Sequence, residues 1–350
     1  MEISSRLRDF IREHRQENVQ QLALHAGITN PQERTWVLEQ IAGWQTAAQK
    51  IPKIAAYEDI IYPPHISMEQ CSSQPSAEYK HYIMNSLLGE QYTFADITGG
   101  FGIDFTYLEG SASKAYYVES QKHLCDIVDH NVQVMGMNQA IIMNSTAENF
   151  VKNYSDSKLS FVYIDPARRD SHGEKIFAIE DCTPNILDLY QKIFVLTPYV
   201  LIKLSPMLDW QKTVKDFQGY VKQIHIVAVG NECKELLVLL DAQHGQEQAV
   251  DVYAVNMPAQ QAEERNILRL DEGKEHKKFS EDISQFQQYF TYYMHEDYSQ
   301  QFSSLSNSEL QQQQYLYEPN VALLKTGFYQ QICQKYNVRQ IGLQSHLFVS

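Results

Sequence analysis

Apolar residues recur at helical spacing over roughly the first 60 positions, which predicts an N-terminal helical region. Thr29-Asn30-Pro31 predicts a break inside this region, because proline suits the first turn of a new helix. Pro63-Pro64 ends the region, and a short helix is predicted near Glu78–Leu88. The apolar positions that carry this pattern are Val19, Leu22, Leu24, Trp36, Val37, Leu38, Ile41 and Trp44.

From Gln91 onward, short apolar runs alternate with helix-like stretches. The predicted strands are Tyr92–Asp96, Ala115–Val118, Ala140–Met143, Phe161–Ile164 and Tyr199–Leu204. The predicted helices between them are Phe105–Leu108, Lys122–Met135, Ala147–Asn153 and Ile186–Leu196. Alternation of this kind predicts parallel strands joined by right-handed crossovers.

The rhythm then changes, since Gln223–Val229 and Glu235–Leu240 are both strand-like and only residues 230–234 separate them. Five residues cannot hold a crossover helix, so these two strands are predicted to form an antiparallel hairpin. A parallel sheet that ends in an antiparallel hairpin is the layout of class I methyltransferases. The predicted fold class is therefore α/β, with a Rossmann-like seven-stranded sheet, an N-terminal helical region and a small α+β C-terminal domain.

The predicted domains are residues 1–62, 63–276 and 277–350. Residues 311–314 are four glutamines and are interpreted as a linker. The aromatic-rich stretch Tyr289–Tyr298 favours core and edge packing over a platform for stacked bases. The last segment, Gly342–Ser350, has the pattern of a strand that has just begun, which predicts a truncated final domain.

A glycine loop follows the first predicted strand of the sheet. Gly99, Gly100 and Gly102 allow a tight turn and a close approach to a ligand. Their spacing is not the G-x-G-x-x-G of dehydrogenases. Asp96 before the loop and Asp104 after it disfavour a bound pyrophosphate but suit the cationic amino-acid end of S-adenosylmethionine. The loop predicts a pocket for this cofactor, and it includes Thr98 and Phe101 as further candidates.

Two later strand ends add candidate cofactor residues. Glu119 lies about 20 residues beyond the loop, where an acidic side chain accepts the ribose hydroxyls. After the next strand, many methyltransferases bind the adenine amino group with an aspartate, whereas this chain has Thr146 followed by Ala147. A solvated strand end remains the alternative for Glu119.

The fourth strand ends in Asp165-Pro166-Ala167-Arg168, which would meet a substrate at the carboxyl edge of the sheet. Methylation of an exocyclic amine needs an acceptor that orients the nitrogen lone pair, and Asp165 with the Pro166 carbonyl suits that role. The alternative is a capping aspartate, with Arg168 in a surface ion pair. Lys203, near the end of the fifth strand, is interpreted either as a substrate contact or as the ion-pair partner of Asp165 or Glu232.

The amino-acid composition limits the possible ligands and partners of the protein only in part. The formal net charge of −14 does not favour nucleic-acid binding, although a local basic patch remains compatible with it. Five scattered cysteines without a CxxC pair favour reduced thiols over a zinc site, and the twelve histidines lack metal spacing. The charged N-terminus has no apolar signal core. We expect a cytoplasmic protein without metal or membrane partners.

Six segments, in order along the chain, together resemble bacterial class I S-adenosylmethionine-dependent methyltransferases that carry a THUMP-like domain after the catalytic domain. These segments are Met68–Ser73, Asp96–Asp104, Tyr163–Arg169, Ile202–Pro206, Asn231–Leu236 and Tyr317–Asn320. The resemblance covers roughly residues 65–350. It implies a likeness to RNA-modifying enzymes, because THUMP-type domains present RNA to a methyltransferase, but it does not carry over a particular substrate.

The chain departs from better-understood relatives at the predicted substrate residues. Ala167 replaces the second proline of the amino-methylating motif, and Arg168 replaces its aromatic residue. Just after the fifth strand the chain reads Leu204-Ser205-Pro206, with no cysteine, which disfavours the covalent mechanism of carbon-methylating uridine enzymes unless Cys233 takes that part. The sequence therefore favours an RNA methyltransferase that acts on a base nitrogen. A methyltransferase for a small molecule or protein, and a non-catalytic cofactor- or RNA-binding protein, remain alternatives.

Overall fold

The computed structural model describes residues 4–25, 27–168, 179–259, 283–294, 305–342 and 345–350. The described residues form two compact units, one ending at Ile164 and the other beginning at Asp165. The domain boundaries predicted at residues 62 and 276 stay predictions. None of the described helices is long and apolar enough to span a bilayer.

The first unit begins with six helices. They are α1 (Ser5–His14), α2 (Val19–His25), α3 (Pro31–Lys50), α4 (Pro52–Ala55), α5 (His65–Gln70) and α6 (Gln74–Leu88). The predicted break before Pro31 is confirmed, because the Asn30 side chain accepts hydrogen bonds from the first backbone N–H groups of α3. A buried amide, that of Gln40, exchanges two hydrogen bonds with the backbone of Tyr62 and fixes the chain after the helices.

Four parallel strands follow in the same unit: β1 (Tyr92–Asp96), β2 (Ala112–Glu119), β3 (Ala140–Asn144) and β4 (Phe161–Ile164). Their order is β4-β1-β2-β3. The connecting helices are α7 (Ile103–Glu109), α8 (Lys122–Val134) and α9 (Ala147–Asn153). Phe94 of β1 stacks on Phe161 of β4 with ring centroids 5.0 Å apart. Parallel pairing therefore brings the carboxyl ends of β1 and β2, with Asp96 and Glu119, to one edge.

The second unit contains a short ladder of β5 (Ala167–Arg168) with β6 (Cys182–Thr183), and a larger set of strands. The larger set is β7 (Tyr199–Leu204), β8 (Val221–Val229), β9 (Glu232–Asp241), β10 (Val250–Met257) and β11 (Gln287–Tyr292), in the order β7-β9-β8-β10-β11. The helices α10 (Ile186–Ile193) and α11 (Trp210–Asp216) flank β7 in sequence.

The predicted antiparallel hairpin is confirmed as β8 and β9, but its connection is shorter than predicted. Only Gly230 and Asn231 lie between the strands, and both have positive φ values of 59° and 60°. Such a two-residue turn matches the twist of the flanking strands, so residues 232–234 belong to β9. The α/β class with parallel strands and a hairpin is thus confirmed, while β10, β11 and α11 were not predicted.

The C-terminal segment forms a small α+β arrangement. It contains α12 (Asn307–Leu310), β12 (Leu316–Tyr317), α13 (Val321–Thr326), α14 (Tyr329–Tyr336), β13 (Arg339–Gln340) and β14 (Phe348–Val349). Strand β14 lies between β12 and β13 and is antiparallel to both. The strand predicted at the end of the chain is therefore present at residues 348–349.

The aromatic-rich stretch packs as predicted where the structure describes it. Phe290 and Tyr292 are buried, and Trp210 of α11 contacts Tyr292 with ring centroids 5.0 Å apart. Tyr298 lies outside the described residues. Core packing, rather than base stacking, accounts for the buried members of this stretch.

Candidate cofactor and substrate residues

The glycine loop begins where β1 ends at the buried carboxylate of Asp96. One oxygen of this carboxylate accepts a hydrogen bond from the backbone N–H of Thr98 at 3.0 Å. The next turn is fixed by the N–H of Gly99, which donates to the carbonyl of Val118 at 2.9 Å. The loop is thereby held against β2 before α7 begins.

The three glycines of the loop are required for different reasons. A Cβ atom on Gly99 would lie 2.1 Å from the buried ring of Tyr117, so this position has no room for a side chain. Gly100 and Gly102 have φ values of +54° and +78°, which L-residues rarely adopt. At Gly100 the nearest atom to an added Cβ is 3.9 Å away, so the loop presents an open surface there.

Glu119 lies at the carboxyl end of β2 and is 8% exposed. One of its carboxylate oxygens accepts the N–H of Gly100 at 3.0 Å. The other oxygen accepts the N–H of Gln121 at 2.8 Å and the hydroxyl of Ser120 at 3.1 Å. The predicted ribose acceptor is therefore joined directly to the predicted glycine loop.

Tyr117 belongs to this arrangement and was not identified from the sequence. Its hydroxyl donates to the carbonyl of Gly100 at 2.5 Å, while its ring fills the space beside Gly99. Burial raises the pKa of the phenol far above its ordinary value, so the hydroxyl keeps its proton. The sequence showed only an apolar strand at this point, without a signal for the contact.

Three of the predicted cofactor residues make contacts within the protein itself. Phe101 is buried and packs near Tyr62, with ring centroids 6.3 Å apart. The Thr146 hydroxyl caps α9 by accepting the N–H of Asn149 at 3.2 Å, and Ala147 is buried in the first turn of that helix. These contacts do not test a cofactor role, which stays a prediction for all three residues.

Asp104 is buried, and its carboxylate contacts three polar side chains. It forms an ion pair with Lys80 at 3.1 Å. It also accepts hydrogen bonds from the hydroxyls of Ser72 at 2.8 Å and Tyr163 at 2.6 Å. The Lys80 ammonium compensates the negative charge of this carboxylate without a ligand. The predicted contact of Asp104 with the cofactor stays a prediction.

The predicted substrate residues meet in an ion pair. Lys203 of β7 contacts Asp165 with 2.5 Å between ammonium nitrogen and carboxylate oxygen. The Asp165 side chain is 37% exposed and that of Lys203 is 15% exposed. The ion-pair interpretation of Lys203 is confirmed with Asp165 as partner, whereas Glu232 pairs with Lys234. A carboxylate held in this way remains accessible as a hydrogen-bond acceptor.

The rest of the Asp-Pro-Ala-Arg stretch forms the start of a small ladder. Pro166 is buried, and the backbone of Arg168 pairs with Cys182 in the β5–β6 ladder. Arg169 lies outside the described residues. The stretch therefore continues as a strand, and the predicted roles of Pro166 and Arg168 toward a substrate stay predictions.

No group of three or more histidine, cysteine or acidic side chains that could hold a metal occurs in the described part of the chain. A surface cavity of about 390 Å³ occurs in the second unit, but none of the predicted site residues lines it. Its walls come from β11 and α14, namely Tyr289, Phe290, Thr291, Gln331, Gln334 and Lys335. The predicted site residues thus lie near strand ends rather than around this cavity.

Comparison with known proteins identifies a solved structure with a similar fold. Over its full length the chain is similar to the crystal structure of a protein from Porphyromonas gingivalis W83 that is called a putative methyltransferase. The sequence identity is 25%, the TM-score is 0.77 and 80% of that chain is covered. Residues 315–350 match a family model described as a ferredoxin-like domain. No curated protein matches the chain.

Two further solved structures are similar over about half of the chain. One is TrmK of M. capricolum in complex with S-adenosyl-homocysteine, at 15% identity, with 48% of this chain and 69% of that chain covered and a TM-score of 0.37. The other is the tRNA m1G37 methyltransferase of M. jannaschii, at 13% identity, with 47% and 48% covered and a TM-score of 0.33. Likenesses with TM-scores this low carry no argument.

The C-terminal match is to a ferredoxin-like domain, and a THUMP-like character of this region stays a prediction. The whole chain has the fold of the Porphyromonas protein, which is described as a methyltransferase.

Proposed function

We propose that this chain is an S-adenosylmethionine-dependent methyltransferase that modifies RNA at a base nitrogen. The observation that carries the proposal is the hydrogen bond between Glu119 and the N–H of Gly100. This bond joins a strand-end carboxylate to a glycine loop with an open surface. The fold shared with the Porphyromonas protein supports the methyltransferase part of the proposal.

The charges of the loop fit S-adenosylmethionine better than a dinucleotide. Asp96 and Glu119 are both buried acids at the ends of neighbouring parallel strands. Two carboxylates repel a pyrophosphate, whereas they favour a ligand that carries a sulfonium and an ammonium group. When bound, this ligand supplies an electrophilic methyl group.

Each residue has a defined part in holding such a ligand. Glu119 accepts the ribose hydroxyls, and Gly100 leaves space for the ligand because it lacks a side chain. Asp96 provides negative charge toward the cationic amino-acid end. Thr146 and Ala147 flank the adenine in this proposal, with the Thr146 hydroxyl already used as a helix cap.

Asp165 receives the substrate in this proposal. A carboxylate accepts the N–H of an exocyclic amine and thereby orients the nitrogen lone pair. Lys203 holds that carboxylate in place at 2.5 Å, and the Pro166 carbonyl offers a second acceptor. Arg168 would contact the plane of a base or a phosphate through its guanidinium group.

The RNA part of the proposal rests on the segments shared with methyltransferases that carry a THUMP-like domain. The opposing observation is the net charge of −14, which favours a small molecule or a protein as the substrate. Mass spectrometry of nucleosides from a deletion strain separates these possibilities. Loss of one methylated nucleoside supports RNA, and an unchanged set of nucleosides refutes RNA methylation under the growth conditions used.

Calorimetry with S-adenosylmethionine tests the cofactor proposal. Gly100→Arg places a large cation at the open surface of the loop and should abolish binding. Gly136→Arg is the matched control, because Gly136 has a similar φ of +70° and no atom within 4 Å of an added Cβ. Absence of binding by the unmodified chain, or equal binding by Gly100→Arg, contradicts the proposal.

Asp165→Asn tests the substrate role separately. This variant should keep its affinity for S-adenosylmethionine and lose turnover on RNA from the deletion strain. Retained turnover would remove Asp165 from the mechanism.

A further inference from the structure

A buried polar network lies beside the glycine loop and is not part of the proposed ligand contacts. At its centre is Lys80 of α6, whose side chain has no exposed surface. Its ammonium group contacts Asp104 at 3.1 Å, the Ser76 hydroxyl at 3.0 Å and the Ser72 hydroxyl at 3.2 Å. The Ser76 carbonyl lies at 3.5 Å as well, so the three donors of the lysine face at least four oxygen atoms.

The same carboxylate joins elements that are distant in sequence. Asp104 is the second residue of α7, Tyr163 belongs to β4, and Ser72 precedes α6. The hydroxyls of Ser72 and Tyr163 both donate to one oxygen of Asp104, while Lys80 contacts the other. The first turn of α7 is therefore tied to both α6 and β4.

This turn follows directly from the glycine loop. Gly102, the last glycine, precedes α7 and has a φ of +78°. The opposite end of the loop is fixed by Asp96 and its middle by Glu119. If the first turn of α7 shifted, the loop would lose one of its three attachments and the N–H of Gly100 would no longer be held against Glu119.

We infer that Lys80 and Asp104 are positioning residues, which hold the glycine loop in the conformation that receives S-adenosylmethionine. The inference rests on the proposed function. A buried ion pair is a poor source of stability, because apolar residues of the same volume usually stabilise a core as well or better. The pair nevertheless ties two helices together, since Asp104 of α7 contacts both Lys80 of α6 and the Ser72 hydroxyl just before α6.

A second ion pair, which also involves a residue of α6, provides a matched control. Lys53 forms an ion pair with Glu78 of α6 at 2.7 Å, and the Glu78 side chain is 7% exposed. Glu78 lies two residues before Lys80, but its hydrogen bonds among the described residues go to Lys53, which precedes α6, and to Gln74 of α6 itself. Lys53→Met therefore removes the lysine of α4 that pairs with Glu78 of α6, and it changes no contact of the glycine loop.

The experiment compares Lys80→Met with Lys53→Met by hydrogen-exchange mass spectrometry of the full chain without ligand. We expect exchange in the peptide covering residues 97–103 to be about tenfold faster in Lys80→Met, corresponding to about 1.4 kcal/mol. The same peptide should be unchanged in Lys53→Met. Calorimetry should show S-adenosylmethionine binding that is weakened about tenfold only in Lys80→Met.

A milder variant covers the case in which Lys80→Met does not fold. Tyr163→Phe removes only the hydroxyl that donates to Asp104 and keeps the ring, so it should raise exchange in residues 97–103 by a smaller factor. Equal exchange of this peptide in wild type and Tyr163→Phe, or equal acceleration in Lys80→Met and Lys53→Met, overturns the inference. The exchange measurement needs no ligand, so a failure of the proposed function is seen separately as absent binding in the wild type.

Discussion

The contact between Gly99 and Tyr117 gives the most specific prediction about the glycine loop. Gly99→Ala adds one methyl group, whose carbon would lie 2.1 Å from Cε2 of Tyr117 and 2.6 Å from Cδ2 and Cζ. Carbon atoms pack at about 3.5–4.0 Å, so the ring or the loop must move by about 1.5 Å or more. The ring has no exposed surface and its hydroxyl is bonded to Gly100, which leaves it little freedom to move.

The expected cost follows from two contributions. Overpacking of a well-packed core costs about 1–3 kcal/mol. Displacement of the ring would also break the hydrogen bond from Tyr117 to Gly100, at about 1 kcal/mol. We therefore expect Gly99→Ala to lower the free energy of unfolding by about 2–4 kcal/mol, the sum of these two contributions. Affinity for S-adenosylmethionine should fall as well, because the displaced loop carries Gly100.

The assay is a double-mutant cycle measured by urea unfolding. Tyr117→Leu removes the ring atoms that the new methyl group would meet. The double variant should thus be more stable than the sum of the single effects, by more than about 1 kcal/mol. Gly110→Ala is the control, because its nearest contact would be an ordinary 3.5 Å and its φ is −56°. Effects that add to within about 0.5 kcal/mol would refute the proposed contact.

Three further predictions follow from other contacts. Glu119→Ala should weaken S-adenosylmethionine binding in calorimetry by at least about tenfold, since it removes the acceptor of the Gly100 N–H and of the ribose hydroxyls; unchanged affinity would exclude Glu119 from the site. Burial lowers the pKa of His225 to about 3 from an ordinary 6.5. Between these two pH values the unfolded chain binds the proton more readily than the folded chain. Acidification from pH 6.5 should therefore lower the free energy of unfolding by up to about 1.4 kcal/mol per pH unit. His225→Phe should make that slope shallower in urea titrations at several pH values, and an identical slope would contradict the assignment. Asn231→Ala should destabilise the protein by about 1–3 kcal/mol, because it removes the acceptor of the Val321 N–H at 3.0 Å and places alanine at a φ of +60°. Asn231→Gly should destabilise the protein less, because glycine adopts this φ without strain. The reverse ranking in urea unfolding would argue against backbone strain.

The strands were predictable because their signals are local. Tyr92–Asp96, Phe161–Ile164 and Tyr199–Leu204 are mainly apolar, as expected for largely buried strands, and their bounds agree with the structure. The hairpin turn was misjudged because Glu232, Cys233 and Lys234 have no strand-like pattern, although they continue β9. Their placement depends on pairing with β8 and on the positive φ of Asn231, which periodicity does not reveal.

The candidate site residues could be chosen from the sequence, whereas their contacts within the folded chain could not. Glycines and acids at strand ends identify Gly100, Asp96 and Glu119, because parallel topology brings such ends to one edge. Tyr117 and Lys80 carry no comparable signal. A tyrosine in an apolar strand and a lysine in a helix are ordinary residues, and only the folded chain shows that one fills the space beside Gly99 while the other is fully buried against Asp104.

The contacts of Glu119 also indicate how the proposed site would accept a ligand while the loop keeps its backbone hydrogen bonds. An ionised carboxylate offers about four acceptor sites, and among the described residues Gly100, Gln121 and Ser120 use three of them. The bonds from Gly100 and Gln121 come from backbone N–H groups, whose positions are set by the loop and by the start of α8. The Ser120 hydroxyl is a rotor and can turn away at little cost. Two ribose hydroxyls can therefore be accepted, one at the remaining site and one in place of Ser120, while both backbone bonds persist. In the proposed site, the carboxylate that would receive the ligand is thus the same group that keeps the glycine loop in place.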